Sequence, residues 1–181
     1  MEPLAGRLLI ANAGLYDPNF RRSIVLVGHH DDEDGAVGVI LNRPLEIGVA
    51  EAVPALAPLV PDGDPVFRGG PVQPSAAVVV ADFTEPERAG VIAFDSIGFL
   101  PEHGDDDISG AIRRARVFAG YAGWGPGQLE DELADGSWLE LPASAEDVFH
   151  QAPDRLWAEV VARLGGNAAL LRTLPEDPTL N

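Results

Sequence analysis

The apolar and polar positions divide the chain into short, continuous apolar runs separated by turns, with one clear amphipathic helix near the end. Arg7 to Ala11 reads as a first strand. Asp17-Pro18 sets an N-cap residue before a proline at the first helical position, which predicts a single short turn through Phe20. Ser23 to Gly28 and Ala36 to Leu41 are apolar runs joined by the acidic loop His29 to Gly35, the pattern of an antiparallel hairpin. Both runs are too continuously apolar for a sheet wetted on one side, so both faces should be covered.

Val49 to Leu59 has helical composition but carries Pro54 and Pro58, which predicts a short or broken helix. Strands are expected at Pro65 to Arg68 and Ala76 to Ala81, on either side of the turn Gly69-Gly70-Pro71. Further strands are expected at Gly90 to Phe94 and, beyond the acidic loop Glu102 to Gly110, at about Arg114 to Tyr121. Gly123 to Gly127 is a glycine-rich turn from which Pro126 opens a helix to Ala134, and Ser137 to Leu141 forms another strand. Ser144, with Asp147 three residues on, has the form of a capping box. Pro153 opens the amphipathic helix, whose stripe is Leu156, Trp157, Val160, Val161 and Leu164 and whose stop is Gly165-Gly166. Strands in consecutive runs favour an α+β fold with a mixed or mostly antiparallel sheet over a doubly wound one. Residues 1–181 are expected to form a single domain, since 181 residues suffice for one core.

Charge narrows the function. The net charge is −17, and all 12 basic residues are arginine. An acidic field spread along the chain repels phosphate polymers and acidic membranes, so no direct nucleic-acid partner and no membrane association are expected. The absence of cysteine removes disulfides, thiolate metal sites and a cysteine nucleophile. Glu2 and the short run Leu8-Leu9-Ile10-Ala11 do not fit a signal peptide, which points to a cytoplasmic location.

Catalytic signatures are missing. Without lysine there is no Walker-type phosphate loop, Schiff-base lysine or Ser–Lys dyad, and neither G-x-S-x-G nor H-E-x-x-H occurs. Two acidic loops resemble calcium loops in part. His30, Asp32, Asp34 and Gly35 align with positions one, three, five and six, as do Asp105, Asp107, Ser109 and Gly110. Position twelve is Leu41 in the first and Arg116 in the second, so neither supplies the closing carboxylate and no metal is expected. No cofactor is expected. Arg113-Arg114-x-Arg116 is the one basic cluster. It reads as a solvated strand edge paired to Asp105–Asp107 in preference to a nucleic-acid patch.

Several stretches together resemble the AlgH/YqgE family of bacterial proteins. They are Leu8-Leu9-Ile10-Ala11, Asp17-Pro18-Asn19-Phe20-Arg21-Arg22-Ser23-Ile24-Val25, and Gly35-Ala36-Val37-Gly38-Val39-Ile40-Leu41-Asn42-Arg43-Pro44-Leu45. Gly69-Gly70-Pro71-Val72 follows, then Gly120-Tyr121-Ala122-Gly123-Trp124-Gly125-Pro126-Gly127-Gln128-Leu129-Glu130, Ser137-Trp138-Leu139 and the ending Pro178-Thr179-Leu180-Asn181. In two places the chain departs from the pattern. The family's histidine before the hairpin loop could be His29 or His30, and Arg68 is bulkier than the residue expected there. The resemblance implies an α+β fold with a small barrel-like closed sheet flanked by helices. It implies no settled activity: the family's label of transcriptional regulator rests on genetics, and no agreed catalytic residues come with it.

A non-enzymatic module that binds a small molecule or a protein, with an indirect regulatory role, is therefore the leading expectation. An enzyme of unrecognised type acting on a small anionic substrate is the alternative, and direct DNA binding comes last. The ligand site is expected where Asn42, Arg43, Gly69, Gly70, Tyr121, Trp124 and Gln128 converge, with Arg43 and Gln128 within one ligand's width, roughly 10 Å. Arg43 offers a fork of donors to a carboxylate or phosphate. Gln128 sits in the first turn of a helix beside free amides. Removing Arg43 is expected to leave melting nearly unchanged.

Overall fold

Arg7–Ala11 (β1), Ile24–Asp31 (β2) and Gly35–Ile40 (β3) form an antiparallel meander, and β2 and β3 make the expected hairpin. The structure, a computed structural model, describes residues 3–12, 15, 17–102 and 107–165. Alternation along these strands sends residues to two cores. Leu8, Ile10, Ile24, Leu26, Val39 and Leu41 face one side, while Leu9, Val25, Val27 and Ile40 face the other, and all are fully buried. The continuous apolar runs have this cause: both faces are covered over most of their length, with Val37 and His29 exposed near the hairpin end. At about 1.5–3 kcal/mol for each large side chain removed from water, this meander contributes much of the folding free energy.

The remaining strands are Pro44–Gly48 (β4), Pro65–Arg68 (β5), Val72–Phe83 (β6), Val91–Phe94 (β7), Ile97–Phe99 (β8), Ile112–Trp124 (β9) and Trp138–Pro142 (β10). The sheet runs β10-β1-β2-β3-β9-β6-β8-β7, with β4 paired to β5 off this path. Nearly every pairing is antiparallel; β5 with β9 is parallel. The long strand β9 organises the sheet. One of its edges carries β6, and the other is shared between β3 at residues 122–124 and β5 at 118–119. Arg113, Arg114 and Arg116 thus lie on a central strand and not at an edge. Among the described residues, the first two pair with Asp82 and Glu146.

The fold is α+β, but the expected barrel-like closure is absent: the outer strands β10 and β7 do not pair with each other. The sheet curls back on itself through side chains instead. A bulge in β2 between Val27 and His29 bends the strand, and the Phe99 ring of β8 packs on Gly28 so closely that a Cβ there would lie 2.2 Å from it.

Helices cover the sheet. Val49–Ala52 (α1) and the 3-10 turn Pro54–Leu59 are the short or broken helix expected from the prolines. Gln128–Ala134 (α2) starts at Gly127, which sits in the left-handed region at φ 76°; Pro126 lies in the preceding turn and not in the helix. Ala145–Val148 (α3) opens on the expected capping box, Ser144 and Asp147 bonding each other's backbone. Pro153–Leu164 (α4) buries Leu156, Trp157, Val160 and Val161 against the first core. No helix among the described residues is long and apolar enough to cross a membrane. The family-like ending at 178–181, and part of the loop Glu102 to Gly110, fall outside the described residues.

Candidate functional site

A groove of about 470 Å³ lies between the segment that follows β1 and the start of α4. The segment is built by short-range chemistry. Asp17 Oδ1 accepts the Asn19 amide at 2.9 Å, and the Asp17 carbonyl accepts the amides of Phe20 and Arg21, giving the single turn that Asp17-Pro18 predicts. Arg22 then takes φ 54°, a left-handed conformation that costs a non-glycine residue energy and persists only when its surroundings impose it.

Asn42 and Arg43, just past β3, impose it. Asn42 Oδ1 accepts the Ile24 amide at 3.0 Å, and its Nδ2 donates to the Arg22 carbonyl at 2.9 Å. Arg43 is half-buried, and its fork donates to the Pro18 carbonyl at 3.0 Å and the Arg21 carbonyl at 2.6 Å. Arg68 reaches the same segment through Asn19 Oδ1 at 2.8 Å. Burial lowers the Arg43 pKa, the charges of Arg68 and Arg21 lower it further, and Asp17 opposes them. Even so, a guanidinium stays charged.

The groove's first wall is Arg21, Arg22 and Arg43; its second is Pro153, Asp154 and Trp157. Arg22 stacks on the Trp157 ring at 4.6 Å from its centre. Trp157 is 7% exposed, and its indole N–H has no acceptor. The N-cap of α4 is Ala152, which offers no side-chain cap, so the positive end of this twelve-residue helix faces the same groove. Asp154 is the carboxylate in the lining. Arg21 and Arg43 form no ion pair among the described residues, whereas Arg7, Arg113, Arg114 and Arg163 each have a carboxylate.

The other residues expected at the site lie elsewhere or serve other ends. Gly69 and Gly70 cross β9 directly. A Cβ on Gly69 would stand 2.2 Å from the Gly120 carbonyl oxygen, and one on Gly70 2.2 Å from the Tyr121 carbonyl. The close approach these glycines permit is that of another backbone. Tyr121, half-buried, packs against the first core, and Trp124 is buried in the second with Phe20 and Trp138. Gln128 is exposed, and its Oε1 accepts the Gly125 amide at 3.0 Å. Trp124 pairs with Ala36 at the start of β3, while Arg43 lies beyond the other end of that strand. The six residues of β3 span about 16 Å at 3.3 Å per step, so the backbones carrying Gln128 and Arg43 stand at opposite ends and the expected convergence does not form. Asn42 and Arg43 remain in the groove. Arg21 and Trp157 join them; sequence reasoning had placed Trp157 in the core alone. The Arg21-Arg22 doublet was the available signal, an unbalanced positive pair in an acidic chain.

Two histidine–carboxylate arrangements lie at the β2–β3 hairpin. His30 is buried; its Nδ1 accepts the Leu4 amide at 3.0 Å and its Nε2 bonds Glu130. Both ring nitrogens are therefore used, and the pair staples the N-terminal segment to α2. That bond from His30 holds the Glu130 carboxyl below its usual range. Of the two histidines, His30 has the structural role and His29 is exposed. In the hairpin turn, His29, Asp31 and Asp34 bring their ligating atoms within 4.8 Å of one another. Asp31 is already engaged there: its Oδ1 takes the Asp34 amide at 2.6 Å and the Glu33 amide at 3.0 Å, and its Oδ2 bonds His29 at 2.8 Å.

Glu132 carries a pH prediction. Its Oε2 is buried without a partner, and desolvation raises its pKa, with Asp135 and Asp17 adding to the rise and the Trp124 indole opposing it. A carboxyl whose folded pKa exceeds its unfolded value favours the fold while protonated and weakens it once pH passes the folded pKa. Glu132→Gln removes the charge and keeps an acceptor for the Trp124 indole, so it should raise stability at pH 7, by no more than about 1 kcal/mol because the group is only partly buried, and the gain should vanish as pH falls below the ordinary glutamate range. Thermal melts from pH 3.5 to 8 would read it. A gain independent of pH would assign the effect to packing.

Comparison with known proteins fits this architecture. The AlgH-like family model matches residues 8–169. A UPF0301 protein of Streptomyces coelicolor is 42% identical over 192 residues, covering 100% of this chain and 97% of its own. A UPF0301 protein of Thermobifida fusca is 41% identical, with 98% and 96% covered. Among solved structures, a Corynebacterium diphtheriae protein superposes with a TM-score of 0.84 at 26% identity, covering 96% of this chain and 94% of that one. The AlgH protein of Pseudomonas aeruginosa does so at 0.68 and 29%, covering 96% and 95%. A single α+β domain with a mostly antiparallel, open sheet defines the class. The chain belongs to the AlgH-like UPF0301 family, a bacterial family without an assigned activity.

Proposed function

We propose that the protein is a non-enzymatic binding module of the cytoplasm that takes up a small anionic group in the Arg21–Arg43 groove and acts indirectly on regulation. The observation that carries this reading is that Arg21 and Arg43 line one groove and, in a chain of net charge −17, form no ion pair among the described residues. With so many carboxylates available, two arginines left without an ion pair on one wall of a concavity are best explained by an anion that neutralises them in use. The uncapped start of α4 supports it from the opposite wall. The groove lining offers no serine, cysteine or histidine, which supports binding over covalent or acid–base chemistry. Its size suits a small molecule and excludes a duplex.

The test is calorimetric titration with inorganic phosphate, pyrophosphate and citrate at low salt. Saturable binding that weakens with ionic strength is expected. Arg21→Ala should weaken it by about tenfold, a loss of about 1.4 kcal/mol, with melting unchanged because Arg21 makes no side-chain bond among the described residues. Asp154→Asn should strengthen it. If the wild type binds none of the three, or if Arg21→Ala binds equally well, the proposal is wrong.

A further inference from the structure

The arginine groove also holds an unpaired charge of the opposite sign. Asp154, on the wall formed by α4, makes no hydrogen bond or ion pair among the described residues. On the other wall, the Arg21 side chain makes none either. The remaining polar groups of the lining are engaged. Asn42 holds the Ile24 amide with Oδ1 and the Arg22 carbonyl with Nδ2, and Arg43 is anchored on the Pro18 and Arg21 carbonyls. Arg22 stacks on Trp157. One cation and one anion thus stay open to the same space, on opposite walls, without bonding each other. A simple anion would be drawn by the first wall and repelled by the second.

We infer that the groove's ligand is a small zwitterion, with a carboxylate taken by Arg21 and Arg43, an ammonium taken by Asp154, and a short apolar spacer between them. The inference rests on the anion-binding reading of the groove and narrows it. The rest of the lining, Pro18, Pro153, Trp157 and Ala158, is apolar and suits a hydrocarbon spacer. A volume of about 470 Å³ suits a small molecule. Opposite charges on the two walls set the ligand's direction and disfavour species that carry only one of them. Asp154 has a plainer role as well: an acid in the first turn complements the positive end of α4. That role alone predicts lower melting when the charge is removed, and no change in the preference among ligands.

The probes are two matched pairs, γ-aminobutyrate against butyrate and ε-aminocaproate against caproate. Within each pair the carboxylate and spacer are shared and only the ammonium differs. NMR titration of the isotope-labelled full chain at low salt reads the affinities, with shifts expected at the amides of Arg21, Arg22 and Asp154. At least one zwitterion should bind about threefold to fivefold more tightly than its matched anion, the upper range of an exposed ion pair. Asp154→Asn should erase that difference while strengthening phosphate binding, and Asp154→Glu should retain it. Arg21→Ala should weaken the zwitterion and its matched anion alike. Should Asp154→Asn melt lower, the comparison within each pair still decides, because both members meet the same variant. Absence of zwitterion binding, equal affinity within both pairs, or a preference that survives in Asp154→Asn overturns the inference. If phosphate still binds in an Arg21-dependent way, the anion groove stands without it; if phosphate binding is absent too, both fall.

Discussion

Gly69→Ala should destabilise the protein by about 3 kcal/mol or more, the range reserved for backbone clashes and core disruption. The added Cβ would stand 2.2 Å from the Gly120 carbonyl oxygen and 3.1 Å from the Phe118 Cβ. Neither neighbour can yield easily. Gly69 donates its N–H to the Ala119 carbonyl at 2.9 Å and accepts the Ile40 amide at 2.8 Å, so its own backbone stitches β3 to β9. Phe118 is fully buried against Phe67. Relief of the clash therefore means breaking a seam of the sheet. Urea melts should show a lower midpoint with an unchanged slope, the sign of lost stability in an otherwise intact fold. Gly63→Ala is the control. Gly63 has φ 83° but nothing within 4 Å, so it should show only the backbone cost of a left-handed residue, about 1 kcal/mol. Equal losses at the two positions would mean that close approach at Gly69 has been given too much weight.

The contrast between these glycines shows how far the sequence could be read. Gly69-Gly70 announced that a backbone would come close, but composition could not say whether the visitor was a ligand or the protein itself. Only the passage of Gly69-Gly70 over β9 decides that, and it joins residues about fifty positions apart. Local chemistry was legible. The β2–β3 hairpin, the Ser144–Asp147 capping box and the stripe of α4 depend on neighbours within a few residues, and all form, with the hairpin strands running further into the loop expected at His29 to Gly35. Two strands escaped notice for physical reasons. Four of the five residues of β4 are exposed, so it has no apolar alternation, and β8 has three residues, too few to show a period. The open sheet escaped because whether its outer strands pair depends on contacts between strands distant in sequence, such as Phe99 packing on Gly28. At the groove, Asn42 and Arg43 were visible as polar residues after an apolar strand. Trp157 sat on the same helical stripe as core residues, and its unpartnered N–H is a fact of three dimensions.

Arg43 joins the fold to the site, and its replacement should affect both. Two carbonyls, those of Pro18 and Arg21, accept from its fork, and they shape the turn that presents Arg21 and Arg22. Arg43→Met retains much of the aliphatic stem and removes every donor. The loss should be about 2 kcal/mol, because two partly buried carbonyls lose charged donors that water replaces only in part. The expectation that Arg43 can be removed without change in melting therefore gives way: its hydrogen bonds are structural. The phosphate or pyrophosphate response should disappear as well, since the groove loses one guanidinium and the left-handed Arg22 loses part of the frame that imposes it. Arg43→Lys should separate the two roles. An ammonium keeps the charge but cannot span both carbonyls as a planar fork does. It should recover part of the anion affinity and little of the stability. Paired melting and titration of Arg43→Met, Arg43→Lys and Arg21→Ala would then give three distinct outcomes: both properties lost, stability mainly lost, and affinity alone lost. If Arg43→Met melts as the wild type does, the turn is held by Asn42 and the Asp17 carbonyl alone. If it still binds anions like the wild type, Arg43 is not part of the site and the groove's charge rests on Arg21 and Arg22.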